Sequence, residues 1–364
     1  MSTPKVLSSR SEGQIGRRKL LGGAALGAAG AATLPAILAA CASSPSSGSG
    51  GSEGNFPSHK QWNFVFVNHV TTNAFFTPTQ YGIQDACALL GCKYQWTGSD
   101  HSDVGEMVNA FNTALSSNAD GIAVAITDAK AFDGPVHQAL QAGIPVVSYN
   151  ADSPTPAQNG RLAYIGQDLY QSGLAVGQRF TTLVQSGDVV GFIATPGSLN
   201  IQPRIDGIKA AIQQSGLPIN FVEIATGAKQ EDELAAVEAY YLGHKNLKGM
   251  VAVDGGSTAS VGQIMQKYNL PSQGIHGAGY DLEPLTLQAV QNGFLDFTVD
   301  QQPYLQGFIP VVQLFLYKLS GGLSQPADTD TGLLFVTKDN VGPYLKVQTR
   351  FEGSSSKEQV VSSS

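Results

Sequence analysis

Asp254 and Asp281 are the residues of this 364-residue chain with the plainest means of doing chemistry. Each ends a short apolar run, "GMVAV" and "GIHGAGY". Two carboxylates raised on strand ends could serve as acid and base, for instance on a glycosidic bond. The rest of a catalyst's equipment is missing from the sequence. The six histidines are scattered without zinc-ligand spacing, and no phosphate-binding loop occurs. The G-x-S-x-G match "GGSEG" (50–54) lies in a Ser/Gly-rich stretch, with no strand before it or helix after it. Binding remains. Apolar runs end at Asn68-His69, Thr127-Asp128, Asn150 and Asp152, Thr195, Thr226, Asp254, Asp281, and Asp300-Gln301-Gln302. Any one of these could simply cap the next helix. Together they line strand ends in the way a ligand cleft requires. Arg204, in "QPRIDG", adds fixed donors that never lose their charge. Phe75 and Phe76 stand at a loop-to-helix junction, an unusual place for two adjacent aromatics.

The elements that must position these groups alternate from Trp62 onward. Apolar runs such as "FVFV", "GIAVAI", "PVVSY", "DVVGFIA" and "GMVAV" are followed by helix-period segments, several closing in Gly or Asn. Continuous apolar strands joined by helices predict parallel sheets covered on both faces. About ten such units exceed one comfortable sheet, so the fold class is α/β with two doubly wound domains.

Composition narrows the function further. Net charge is −7, and −11 without the first forty residues, which hold five basic residues and one acidic one. No basic patch marks a nucleic-acid binder. Residues 1–40 predict an export signal, with Arg17-Arg18 ahead of a weakly apolar Ala/Gly run. Gly16 departs from the twin-arginine pattern and leaves the general secretory route open. A transmembrane anchor from Leu20 to Ala40 is disfavoured by its Ala/Gly content and Pro35. Residues 41–60 read as a Ser/Gly-rich tether and 349–364 as a disordered tail. Cys87 and Cys92 admit either a local disulfide or two buried thiols.

"NAFF", "GIPVVSYNAD", "QPRIDG", "GYD" and "TVDQQP" resemble the ribose-binding-protein-like family, the sugar receptors of ABC importers, over residues 61–345. The exit "LAAC" likewise resembles a lipobox, implying lipidation at Cys41 and anchoring on the outer face of the cytoplasmic membrane. The resemblance implies two lobes joined by three crossing strands with a ligand cleft between them. The N-terminal lobe would be 61–166 plus 302–326, and the C-terminal lobe 167–301 plus 327–348. It implies a monomeric binding protein, not an enzyme, that needs no cofactor or metal. It delivers a neutral monosaccharide or sugar alcohol to a permease, or as an alternative serves a signalling receptor. Matched to the family's motifs, Asn73, Phe75, Phe76, Arg204, Asp281 and Gln301 contact the ligand. Asn150, Asp152 and Asp254 stand at family positions with altered residues, and His69 could add a hydrogen bond. Asn150-Ala151 replaces the usual Asp-Arg, and Ala228 stands near a usual aromatic. Ribose is thereby put in doubt, and another pentose, a hexose or a polyol is admitted.

Overall fold

The computed structural model describes residues 56–154 and 156–346. The export signal, Cys41 and the tail lie outside the described residues. Five strands and their helices come first in the chain: β1 (Asn63–Asn68), β2 (Lys93–Gly98), β3 (Gly121–Val124), β4 (Val146–Tyr149) and β5 (Tyr164–Gly166), with α1 (Thr77–Leu90), α2 (Val104–Ser116), α3 (Asp133–Gln141) and α4 (Pro156–Asn159) between them. A second series follows: α5 (Leu169–Leu183), β6 (Gly187–Ile193), α6 (Gln202–Ser215), β7 (Ile219–Ala225), α7 (Gln230–Gly243), β8 (Gly249–Ala252), α8 (Gly255–Lys267), β9 (His276–Ala278) and α9 (Pro284–Asn292). The chain closes with β10 (Thr298–Asp300), α10 (Pro303–Leu319), β11 (Thr329–Asp330), β12 (Leu334–Val336) and α11 (Gly342–Lys346).

The strands form a six-stranded sheet, β11-β5-β4-β3-β1-β2, and a four-stranded sheet, β7-β6-β8-β9. β10 and β12 make an antiparallel pair beside the latter. Every pairing within the two larger sheets is parallel. Central strands β3, β4 and β8 are buried along their whole length, as parallel strands covered on both faces must be. Alternation sorts their side chains between two layers. Phe64 and Phe66 enter a core under α10, while Val65 and Val67 enter another under α2 and α3. The four-stranded sheet repeats this: Val190 and Phe192 face one core, Val189 and Ile193 the other.

Each lobe also contains one pair of helices in backbone contact. A Cβ on Gly173 of α5 would fall 2.2 Å from the carbonyl oxygen of Arg204. One on Gly307 of α10 would fall 2.0 Å from that of Thr79 on α1. Only glycine permits these approaches.

Sheet membership departs from the expected boundaries at one place. β11 hydrogen-bonds to β5 in the first sheet, whereas the lobe bounds implied by the family resemblance place everything from 327 in the second lobe. Two residues of strand carry no apolar run, so nothing in the pattern marks them. The chain therefore passes between the sheets near residues 167–168, 301–302 and 331–333. Cys87 and Cys92 are buried free thiols in contact with each other.

Candidate ligand-binding site

The carboxyl ends of both larger sheets face one cavity of about 310 Å³. Of the ten binding residues expected from sequence, His69, Asn73, Phe75, Phe76, Asn150, Arg204, Asp254, Asp281 and Gln301 line it.

The aromatic pair divides its labour. Asn73 caps a short 3-10 turn, Ala74–Phe76, by accepting the Phe75 backbone N–H at 2.9 Å. That turn drives Phe76 into the core, 1% exposed, and leaves Phe75 half-buried over the cavity, edge-on to Phe76 at 4.8 Å. His69 lies edge-on to Phe76 and is 5% exposed. Burial pulls its pKa down to about 4, so the ring is neutral at pH 7. Its Nε2 meets the Asn200 side-chain amide of the other lobe at 3.2 Å, and its buried Nδ1 has no partner. Where Nε2 accepts that amide, Nδ1 carries the proton and offers a donor. Nearby, the Leu199 N–H donates to the Thr127 carbonyl at 3.1 Å. These two bonds join the lips of the cleft.

Across the cavity, Arg204 is held on several sides. Its guanidinium stacks over Tyr280 at 4.1 Å, Nη1 donates to the Val253 carbonyl at 2.8 Å, and Nη2 donates to Gln167 Oε1 at 3.1 Å. Nε is buried with no protein partner, and the residue is 2% exposed. Asp254 caps α8, accepting the N–H groups of Ser257 and Ala194, each at 2.9 Å. It is therefore both a helix cap and a wall of the cavity. Asp281 sits in the left-handed region at φ 72 and accepts Gln301 Nε2 at 2.6 Å. Burial lifts its pKa to about 6, against the opposing pull of the Arg204 charge.

The cavity floor is a buried amide chain. Asn150, itself at φ 62, donates through Nδ2 to Gln306 Oε1 at 3.0 Å. Gln306 Nε2 donates to the Gln301 carbonyl at 3.0 Å, and Thr331 Oγ1 donates to that same carbonyl at 2.8 Å. Gln301 and Thr331 lie at two of the three crossings, so the hinge and the site share hydrogen bonds. Left-handed residues that are not glycine cost backbone strain, and here they aim side chains at the cavity floor.

Asp152 corrects an expectation. It is absent from the cavity wall: its carboxylate accepts from Ser148 Oγ and Arg161 Nε, both at 2.7 Å, and pairs again with Arg161 Nη2. The left-handed turn at Asn150 sends the chain away, and a buried guanidinium nine positions on claims the carboxylate. Asp128 likewise caps the following turn instead of reaching the cavity. Sequence reasoning missed Glu233, Glu283, Asn200 and Gln306. The last three sit in loops or inside helices without motif, while Glu233 lies in the acidic first turn "QEDE" of α7, which reads as an ordinary complement to the helix dipole.

A family model described as a periplasmic binding protein domain matches residues 64–321. The xylose/arabinose-binding protein XylF of Sulfolobus acidocaldarius is 51% identical over 314 residues, covering 83% of this chain and 77% of that protein. A D-ribose/D-allose-binding protein of Pseudomonas aeruginosa is 26% identical over 208 residues, covering 56% of this chain and 64% of that protein. Among solved structures, an ABC transporter solute-binding protein of Burkholderia graminis in complex with D-arabinose superposes with a TM-score of 0.73. It is 27% identical, and the match covers 79% of this chain and 99% of that one.

Proposed function

Because the chain belongs to the periplasmic binding protein family, we propose that its cavity captures a neutral aldopentose and yields it unaltered to an importer. The chain is a sugar-binding protein of the ABC-transporter class and works outside the cytoplasm. The observation that carries the sugar reading is the cavity itself, and the pentose choice within it follows the relatives named above. At about 310 Å³ it lies at the small end of ligand sites, with a phenyl face on one side and fixed hydrogen-bonding groups on the other. A pyranose presents apolar C–H faces to the first and hydroxyls to the second. The pentoses named for XylF and for the Burkholderia structure support the same choice.

Capture without catalysis is supported by the sugar-binding relatives and by how the carboxylates are held. Asp254 accepts two backbone N–H groups and Asp281 accepts Gln301, an arrangement that supports fixed hydrogen-bond acceptors for a ligand. The lobes close about the three crossings, and His69–Asn200 and Thr127–Leu199 seal the lips over the sugar. Lipid attachment at Cys41, with the preceding export signal, would hold the monomeric receptor on the outer face of the membrane beside its permease.

Calorimetric titration of the purified chain with D-xylose, L-arabinose, D-ribose, D-glucose and myo-inositol tests the reading. A pentose at 100 times its dissociation constant adds about 2.7 kcal/mol to unfolding stability. The recovered sugar is unchanged by NMR. Hexose binding with no pentose binding, or turnover of the sugar, overturns the proposal.

A further inference from the structure

Two carboxyl groups in the cavity wall are left without a role by the sugar contacts above: Glu233, from the first turn of α7, and Glu283, just before α9. Both lie flat on the backbone at the head of α8. A Cβ on Gly256 would fall 1.9 Å from Glu233 Oε2, and a Cβ on Gly255 would fall 1.9 Å from Glu283 Oε1. Any other residue in this Gly-Gly step would expel the two carboxyls, so the notch and its occupants form one built feature.

The placement demands protons. Glu233 is 5% exposed and its carboxyl faces that of Asp254 in the cavity wall. An ionised carboxylate only accepts hydrogen bonds, so a carboxyl–carboxyl bond exists only when one member is protonated. Asp254 already uses both oxygens as acceptors from Ser257 and Ala194 N–H groups, which stabilise its charge. The proton therefore belongs to Glu233. Glu283 Oε2 is buried and has no hydrogen-bond partner. The charged and titratable groups around the pair are Asp232 on α7, Asp254 at α8, Asp281 on the loop before α9, Arg204 on α6, and neutral His69 from the β1 end. One guanidinium faces four wall carboxyls, and they cannot all ionise in a closed cavity. Burial, and then Asp254, pushes Glu233 up to about 9. Burial, and then Asp281, pushes Glu283 up to about 8.

We propose that Glu233 and Glu283 are specificity-determining ligand contacts, seated by the Gly255-Gly256 notch. They bear protons when the cleft is shut and so admit a neutral polyhydroxylated ligand while refusing a sugar acid. This rests on the sugar-capture reading and deepens it. A protonated carboxyl donates to a sugar oxygen and still accepts from a hydroxyl, whereas an aldonate or uronate would bring a further negative charge into a wall that already sheds charge by holding protons.

The test uses the full chain, its Glu233→Gln and Glu283→Gln variants and the double variant. In the parent, D-xylose affinity falls by about tenfold or more between pH 6 and pH 9.5, up to about one decade per unit for each carboxyl once it ionises. Each single variant keeps part of that fall, and the double variant is flat within about threefold. D-xylonate at pH 7 does not bind the parent. Without sugar, the parent's thermal stability declines as pH rises from about 5 to about 9, because the folded state holds protons the unfolded state releases, and the double variant declines less. A parent affinity that ignores pH, a double variant that matches the parent's profile, or D-xylonate binding as well as D-xylose overturns the proposal. Failure of D-xylose to bind the parent even at pH 6 instead overturns the pentose reading, and the sugar-free unfolding profile still decides whether the wall carries protons. If the double variant does not fold, the single variants decide on the same readout.

Discussion

The two walls of the cavity are built from opposite materials. The first-lobe wall, from His69, Asn73, Phe75, Phe76 and Asn150, carries no formal charge, since burial keeps His69 neutral. The second-lobe wall concentrates Arg204, Glu233, Asp254, Asp281 and Glu283. Charges buried without fixed partners are costly, so the second wall is braced before any ligand arrives: Arg204 by Tyr280, Val253 and Gln167, Asp254 by two N–H groups, Asp281 by Gln301. The first wall instead offers ring area from a three-residue turn. In the proposed capture, shape comes from one side and hydrogen-bond selectivity from the other.

The sharpest way to break that contrast is to remove one residue from each wall. Phe76→Ala empties a fully buried site in the first core and should cost about 3–5 kcal/mol of stability, read by urea unfolding. Its neighbour Phe75 should behave differently. Arg204→Ala leaves Asp281 without its opposing charge and the ligand without its buried donors. About 2–5 kcal/mol of sugar affinity should go, about a thirtyfold loss or more for D-xylose by calorimetry. A small loss there would move selectivity off the second wall. Gly173→Ala probes the same arginine through its backbone: the new methyl meets the Arg204 carbonyl, so both stability and affinity should fall while the cavity's side chains are untouched. Phe75→Ala should cost only about 1 kcal/mol of affinity and little stability, because it withdraws a half-buried face and leaves no buried polar group unpaired. If Phe75→Ala costs more affinity than Arg204→Ala, the assignment of shape and selectivity to the two walls is reversed.

How much of this was legible in the sequence differs between the walls for physical reasons. Apolar runs announced all the strands except β11, whose two residues are held by pairing with β5 alone. Phe75, Phe76 and Arg204 could be placed at the cavity because "NAFF" and "QPRIDG" resemble family motifs, and all three line it. Glu233 and Glu283 were not readable. Glu233 stands as an acid in a helix's first turn, which any exposed helix prefers, and Glu283 in a loop; only the three-dimensional notch at Gly255-Gly256 reveals that Glu233 is buried and that Glu283 tucks a carboxyl oxygen away from water. Gln306 was hidden inside an apolar helix, where its burial is explained only by the crossings it ties together. Asp152 was misread because strand-end position alone cannot distinguish a residue facing the ligand from one facing a partner on its own lobe.

That last residue gives the smallest effect and the finest test. The Arg161 side chain is 6% exposed and pairs with Asp152, 15% exposed, and with Asp328, 71% exposed. Asp152→Ala therefore leaves a buried guanidinium with one solvated partner, and stability should fall by about 1–3 kcal/mol. Sugar affinity should change by less than about threefold, because the Asp152 carboxylate bonds to Ser148 and Arg161 and to none of the amides of the cavity floor. Asp152→Asn should recover part of the stability, since an amide oxygen can still accept from Arg161 Nε and Ser148 Oγ. A tenfold loss of D-xylose affinity in a folded Asp152→Ala protein would return this carboxylate to the ligand's surroundings. It would also mean that the charged groups selecting the sugar are not confined to the second lobe.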